Sequence, residues 1–245
     1  MAFSTNMQAY FVDRFYRRLR ERFSERQTMG ALTTAFHQYV FQRGSRAAQR
    51  AVRDGAPLDF EHYQKYREVV STEEMKREDG PGRSERDLSP ELYEGRIYDC
   101  TTHRLFRQLD SPEQVEQFFC KHIDSMNVRS FNPDIPYWVE STLYDADVCL
   151  HRSPNPGCPA ETDIGARMPD APPFPYLLAN QFYSMSQVIE AIFGLPGREI
   201  CQAVQSDFIA RYGQADWNQI ARYQGADFNL YYPLGLKNRG TGERE

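Results

Sequence analysis

The feature that most constrains this fold is the aromatic periodicity of its first fifty residues. Tyr10, Phe11, Phe15, Leu19 and Phe23 recur at helical spacing, and Leu32, Ala35, Phe36, Tyr39, Val40 and Phe41 follow in the same period. Two amphipathic helices over residues 6–54 are therefore expected, with a break at Thr28 or Gly30 and a stop at Gly55. Arg14, Arg17, Arg18, Arg20 and Arg22 crowd the first helix, but Glu21 and Glu25 interleave with them, which reads as a solvated face rather than a polyanion site. Pro57 resets the chain, and Asp59 is placed to cap a short helix, FEHYQKYREVV.

The middle of the chain changes character. Residues 71–94 open with STEEMKREDGPGRSERDLSPE and read as a polar linker between a helical segment, 1–70, and a core over 95–236; residues 237–245 read as a disordered tail. GRIYDCT reads as a strand ending at Cys100, and SPEQVEQFFCKHI as a helix with Ser111 as N-cap and Pro112 in its first turn. After the NPDIP turn, YWVESTLYDADVCLHR reads as two strands around a tight Tyr144–Asp145–Ala146 turn. A proline-rich loop covers 152–173. Helices at 175–193, 196–212 and 216–223 follow, and DFNLYY reads as a last strand. The class is α+β, with helices packed around a small antiparallel sheet.

Composition narrows the function. A net charge of −5 offers no global field for nucleic acid or an anionic membrane. No apolar run reaches the roughly 20 residues of a membrane span. MAFSTNMQAYFVDRF lacks the basic start and long apolar stretch of a secretory signal. Five widely spaced cysteines, an odd number, then read as reduced thiols and the cytoplasm as the compartment. No phosphate loop, GxSxG elbow, HExxH or CxxC is present.

Scarce histidines mark the chemistry. Cys120-x-His122 and Cys149-x-His151 repeat one spacing. On a strand, i and i+2 share a face, so Cys149 and His151 can serve one site. On a helix they stand about 200° apart, so Cys120 and His122 diverge unless the helix ends there. Asp124 can orient His122 or act as a base, and Cys100 sits at a strand end. Three readings stay open: a thiol nucleophile beside a histidine; a zinc site, although the spacing fits no standard zinc pattern; and buried structural cysteines with locally bonded histidines.

In order, YDCTTHRLF, FFCKHIDSMNVRSFNPDI and VESTLYDADVCLHR resemble the L-2-amino-thiazoline-4-carboxylic acid hydrolase family. That family has a cysteine at a strand end, an aromatic–Cys–x–x–Ile–Asp segment, an Asn-Pro turn and a strand pair closing on Asp-x-Cys. The similarity extends over roughly residues 36–230. It implies hydrolysis of a C–N bond in a small cyclic amidine or amide, without metal or cofactor, giving an N-carbamoyl cysteine-type product. The matched polar positions are Cys100, Cys120, Asp124, Asn132, Asp147 and Cys149. Cys100, Cys120, Asp124 and Cys149 form the candidate catalytic set with His122 and His151, and Asn132, Asp147, Asn180 and Tyr183 are the substrate-binding candidates. One departure is Leu177, Leu178, Ala179 and Asn180, where the resemblance suggests histidines. It leaves open a tailoring or lyase-type enzyme, or a non-catalytic ligand-binding domain. The expected partner is a small molecule, with no nucleic acid and no membrane.

Overall fold

The computed structural model describes residues 3–69, 72–80, 82–157, 168 and 170–236. Cys158, most of the proline-rich loop and the tail 237–245 lie outside the described residues. Helix α1 (Thr5–Arg20) and the long α2 (Glu25–Arg53) realise the opening pattern. The break falls at Ser24, not at Thr28 or Gly30. There Ser24 and Gln27 form a reciprocal capping box that satisfies the first amides of α2. Glycine at position 30 is simply carried inside the helix. The arginines of α1 do more than face water. Arg17 donates to the carbonyls of Leu109 and Asp110, and Arg18 pairs with Asp207, so they tie α1 to distant elements.

Asp59 caps α3 (Phe60–Tyr66), which ends earlier than expected because the chain turns extended at Arg67. The stretch read as a polar linker is structured. It holds α4 (Glu73–Asp79), the edge strand β1 (Arg83–Leu88) and the start of β2 (Leu92–Asp99). Charge misleads here because edge strands are commonly charged to prevent stray pairing. Helix α5 (Thr101–Gln108) follows directly, with Cys100 as its N-cap residue. Helix α6 (Glu113–Phe131) runs a further two turns past His122. Strands β3 (Trp138–Ser141) and β4 (Cys149–Pro154) pair as expected. The connection from Thr142 to Val148 is longer than a tight turn and is braced by Asp145 accepting from the amide and hydroxyl of Thr142.

The sheet is antiparallel throughout, in the order β1–β2–β4–β3. Helices α7 (Phe174–Phe193), α8 (Leu195–Tyr212) and α9 (Gln214–Ala221) complete a bundle with α1 and α2. DFNLYY forms no strand; its backbone turns, and Leu234–Leu236 make a short 3-10 helix. The expected α+β architecture is what the chain adopts. Among the described residues no helix is long and apolar enough to cross a membrane.

Two apolar cores meet along α6. Phe118 and Phe119 pack into the bundle with Phe11, Phe36 and Phe182, whereas Val128 and Phe131 join Phe60, Tyr63, Tyr93 and Tyr137 beneath the sheet. Gly44 lets α2 approach α6 closely, since a Cβ there would stand 1.9 Å from Ser130 Oγ. A buried ion pair links the two halves. Arg46 donates to Glu68 at 2.8 and 2.6 Å, to the Phe228 carbonyl and to Asn180.

Candidate active site

The sheet presents one face to α6. Across it, Arg86 pairs with Gly95, Gly95 with His151, and His151 with Val139. Period-two alternation therefore places Tyr93, Gly95 and Ile97 beside Cys149, His151 and Ser153. The opposite face carries charge, with Arg152 bridging Glu94 at 2.8 Å and Glu140 at 2.5 Å. Between the first face, α4, α6 and the end of α3 lies a cleft of about 1020 Å³. Cys100, Asp124, Tyr137 and His151 all reach its wall, together with Arg67 and Arg86.

His151 is fixed at both ring nitrogens. Its Nε2 lies 3.1 Å from Cys149 Sγ and its Nδ1 lies 2.7 Å from the Tyr137 hydroxyl. Burial pulls the imidazole pKa down, and the Asp124 carboxylate offsets part of that shift. His151 is consequently neutral in the resting site, able to take a proton. Burial pushes the Cys149 thiol up to about 12, with Asp124 adding to the rise. The Tyr137 hydroxyl is raised well above its ordinary value by the same cause.

Cys100 ends β2 and begins α5. Burial raises its thiol, while the amides of His103 and Thr102 and the Thr102 hydroxyl act in the opposite direction. The two amides are donors of the first turn of α5, and a helix start favours a thiolate. Asp124 is on the same stripe of α6 as Cys120 and Glu116, four residues apart each time. It makes no hydrogen bond or ion pair among the described residues. Its charge is nevertheless felt by Tyr63, Cys100, Cys149 and His151 around the cleft.

Of the expected site residues, then, Cys100, Asp124, Cys149 and His151 come together. Cys120 borders them: its thiol is raised well above the ordinary value by burial, then by Cys100, Glu116 and Cys149. His122 is not with them. Because α6 continues past it, its ring turns away and stands 6.2 Å from His37 and 5.2 Å from Phe118. Asn132 holds a turn, donating to the Leu58 carbonyl and accepting from the Asp134 amide. Asp147 is exposed in the β3–β4 connection. Asn180 is wholly buried in the bundle among Arg46, Gln42 and Ser184, and Tyr183 packs edge-on to Phe182. Neither reaches the cleft. Leu177, Leu178 and Ala179 are likewise buried in the bundle, so the departure from the resemblance leaves the cleft wall untouched.

Sequence reasoning missed Arg67, Arg86, Tyr93, Gly95 and Tyr137. The Tyr93–Gly95–Ile97 alternation was the available signal, hidden by the charges around it. It also missed the contact of His103 with the buried Glu116 just beyond Cys100. Among the described residues no three His, Cys, Asp or Glu side chains group to hold a metal ion.

The family profile of the L-2-amino-thiazoline-4-carboxylic acid hydrolases matches residues 4–150, from the start of α1 into β4, and takes in the cleft residues named above except His151, one position beyond it. The chain belongs to this hydrolase family. The match begins earlier than residue 36 and stops before α7, so the bundle's last three helices lie beyond it. No curated protein and no solved structure matches the chain.

Proposed function

We propose that this family member opens a small cyclic amidine by attack at the amidine carbon, an amino-thiazoline being the leading substrate. The observation that carries the reading is an unpartnered carboxylate, Asp124, sharing one cleft with a thiol at a helix start, Cys100, and a neutral imidazole, His151. A protonated amidine is a planar cation that a carboxylate binds through two parallel hydrogen bonds. Asp124 is the group for that contact.

The thiol chemistry follows from the same pairing. Without a bound cation Cys100 keeps its proton, because burial outweighs the helix-start amides. An arriving cation lowers the cost of a thiolate beside it. His151 then accepts the Cys100 proton as the sulfur adds to the amidine carbon. Collapse expels the ring sulfur, which takes the proton from His151 and leaves an isothiourea on Cys100. Water adds to that carbon, Cys100 departs as a thiol, and the N-carbamoyl product is released with both nitrogens in place. This balance corrects the bond implied by the resemblance. An N-carbamoyl product retains both nitrogens on the amidine carbon, so the bond broken is carbon–sulfur. Loss of ammonia would instead mark carbon–nitrogen cleavage.

The test is turnover of L-2-amino-thiazoline-4-carboxylic acid by the purified chain, followed by mass spectrometry of the product and a free-thiol assay. Cys100→Ser and Asp124→Asn are expected to lose a hundredfold or more, on the order of a missing nucleophile or electrostatic anchor. Full activity in Cys100→Ser, with Cys120→Ser and Cys149→Ser also active, would remove the covalent step.

A further inference from the structure

The cleft carries a charge pattern that the amidine chemistry does not use. Basic side chains outnumber acidic ones along its wall, six to four, in a chain whose net charge is −5. Three of the six are internally paired, Lys76 with Glu73, Arg83 with Glu85, and Arg96 with Asp87 and Glu94, and Arg77 is exposed on α4. Arg67 and Arg86 are different. Neither guanidinium makes a hydrogen bond or ion pair among the described residues, and Arg67 Nε is buried without a partner. The two guanidinium groups repel one another, and each is also felt by Tyr93.

Arg86 is exposed at the cleft, whereas Arg67 carries the cost of a buried, unpartnered Nε, and the surrounding structure keeps both in place. The extended turn after α3 directs consecutive side chains to opposite sides. Glu68 enters the bundle and locks onto Arg46, which leaves its neighbour Arg67 facing the cleft. Arg86 is fixed by register, directly across from Gly95 and one strand from His151. With no side chain on Gly95, the Tyr93 phenol folds over that position between them.

We infer that Arg67 and Arg86 form a carboxylate-binding pair, which holds the acid group of the substrate while Asp124 holds its amidine. The inference rests on the amidine reading above for the other end of the molecule. The Asp124 carboxylate faces the amidinium and the two guanidinium groups face the carboxylate, so each end of a zwitterion meets the opposite charge. Arginine suits the task because its planar fork matches a carboxylate. The pair thus selects amino-acid-derived rings over neutral ones of equal size.

Titration calorimetry of the full chain with L-2-amino-thiazoline-4-carboxylate and with its 4-carboxamide tests this, run beside turnover of both. The chain is expected to bind the carboxylate at least tenfold more tightly. Arg86→Met and Arg67→Met should each weaken carboxylate binding roughly tenfold to a hundredfold, the range of a charge-assisted hydrogen bond, and leave the carboxamide unchanged. Arg67→Lys, which keeps the charge without the fork, should fall between and serves if Arg67→Met does not fold. Equal affinity for the two compounds, no binding of either, or a preference that survives both substitutions would overturn the pair. Turnover of both compounds without a binding preference leaves hydrolysis standing and the pair refuted. A preference lost in the variants without any turnover does the reverse.

Discussion

Gly95 lies directly across the β2–β4 ladder from His151. A Cβ at Gly95 would stand 2.9 Å from the Tyr93 hydroxyl and 3.6 Å from His151 Cβ. Tyr93 occupies the same strand face two residues earlier, so its phenol folds over the glycine. The missing side chain is what lets an aromatic wall, an arginine and the imidazole meet in one row.

Gly95→Ala should therefore fold and work poorly. The backbone there is ordinary, so the cost is steric: the Tyr93 ring must shift, at about 1–3 kcal/mol as in other overpacked sites. A displacement of that size beside reacting groups costs roughly tenfold to a hundredfold in kcat/KM. Thermal denaturation and steady-state kinetics read the two separately; unchanged kinetics would mean that Tyr93 does not shape the site.

The titration of His151 should answer to its two charged neighbours in opposite directions. Asp124 raises its pKa against the dominant downward pull of burial, and Arg86 adds to that pull. Asp124→Asn is expected to move the imidazole further down, and Arg86→Met to move it up. Nuclear magnetic resonance of the ring protons across pH measures this directly. Shifts of the same sign in both variants would place one of these charges away from His151.

The bundle was legible in the sequence because its aromatic residues repeat at one period, and the β3–β4 pair because Cys149 and His151 alternate cleanly. Residues 71–94 were not, since an edge strand shows its charges to water on both sides and resembles a loop. The site divides the same way. Cys149 and His151 share a face by strand geometry alone, whereas the meeting of Cys100, Asp124 and Arg67 depends on how α5, α6 and the α3 turn converge on the sheet. No local period encodes that convergence. Asn180 shows the converse error: a polar residue on an aromatic helix looks like a ligand contact, yet it satisfies Arg46 in the core.

Acid should weaken the fold through three histidines, of which His151 is buried, His122 half-buried and His37 more exposed. Burial lowers His37, His122 and His151 below the ordinary 6.5, so the unfolded chain takes up protons that the folded one refuses. Stability is full above about 6.5 and falls as pH drops through that value toward the lowered folded values. Chemical denaturation at about pH 7.5 and at about pH 5 measures the slope. Replacing both His37 and His122 by Gln should flatten it; an unchanged slope would trace acid sensitivity to other groups.

The thiols give the opposite limb and a direct check on the resting site. Burial raises Cys100, and it pushes Cys149 from 9.0 to about 12, so both stay protonated at neutral pH. A raised folded pKa means stability that is complete below about 9 and lost as pH climbs from there toward 12. Cys149→Ala should remove part of that alkaline loss. At neutral pH, alkylation by iodoacetamide should be slower at both thiols than at free cysteine, because the thiolate is the reactive form. Adding a non-hydrolysable cyclic amidinium should speed alkylation at Cys100 if reagent access is preserved, by placing a positive charge beside it. A small reagent and peptide-level mass spectrometry separate the two cysteines. Alkylation of Cys100 at the rate of free cysteine in the empty cleft would show a standing thiolate and refute activation by the bound cation.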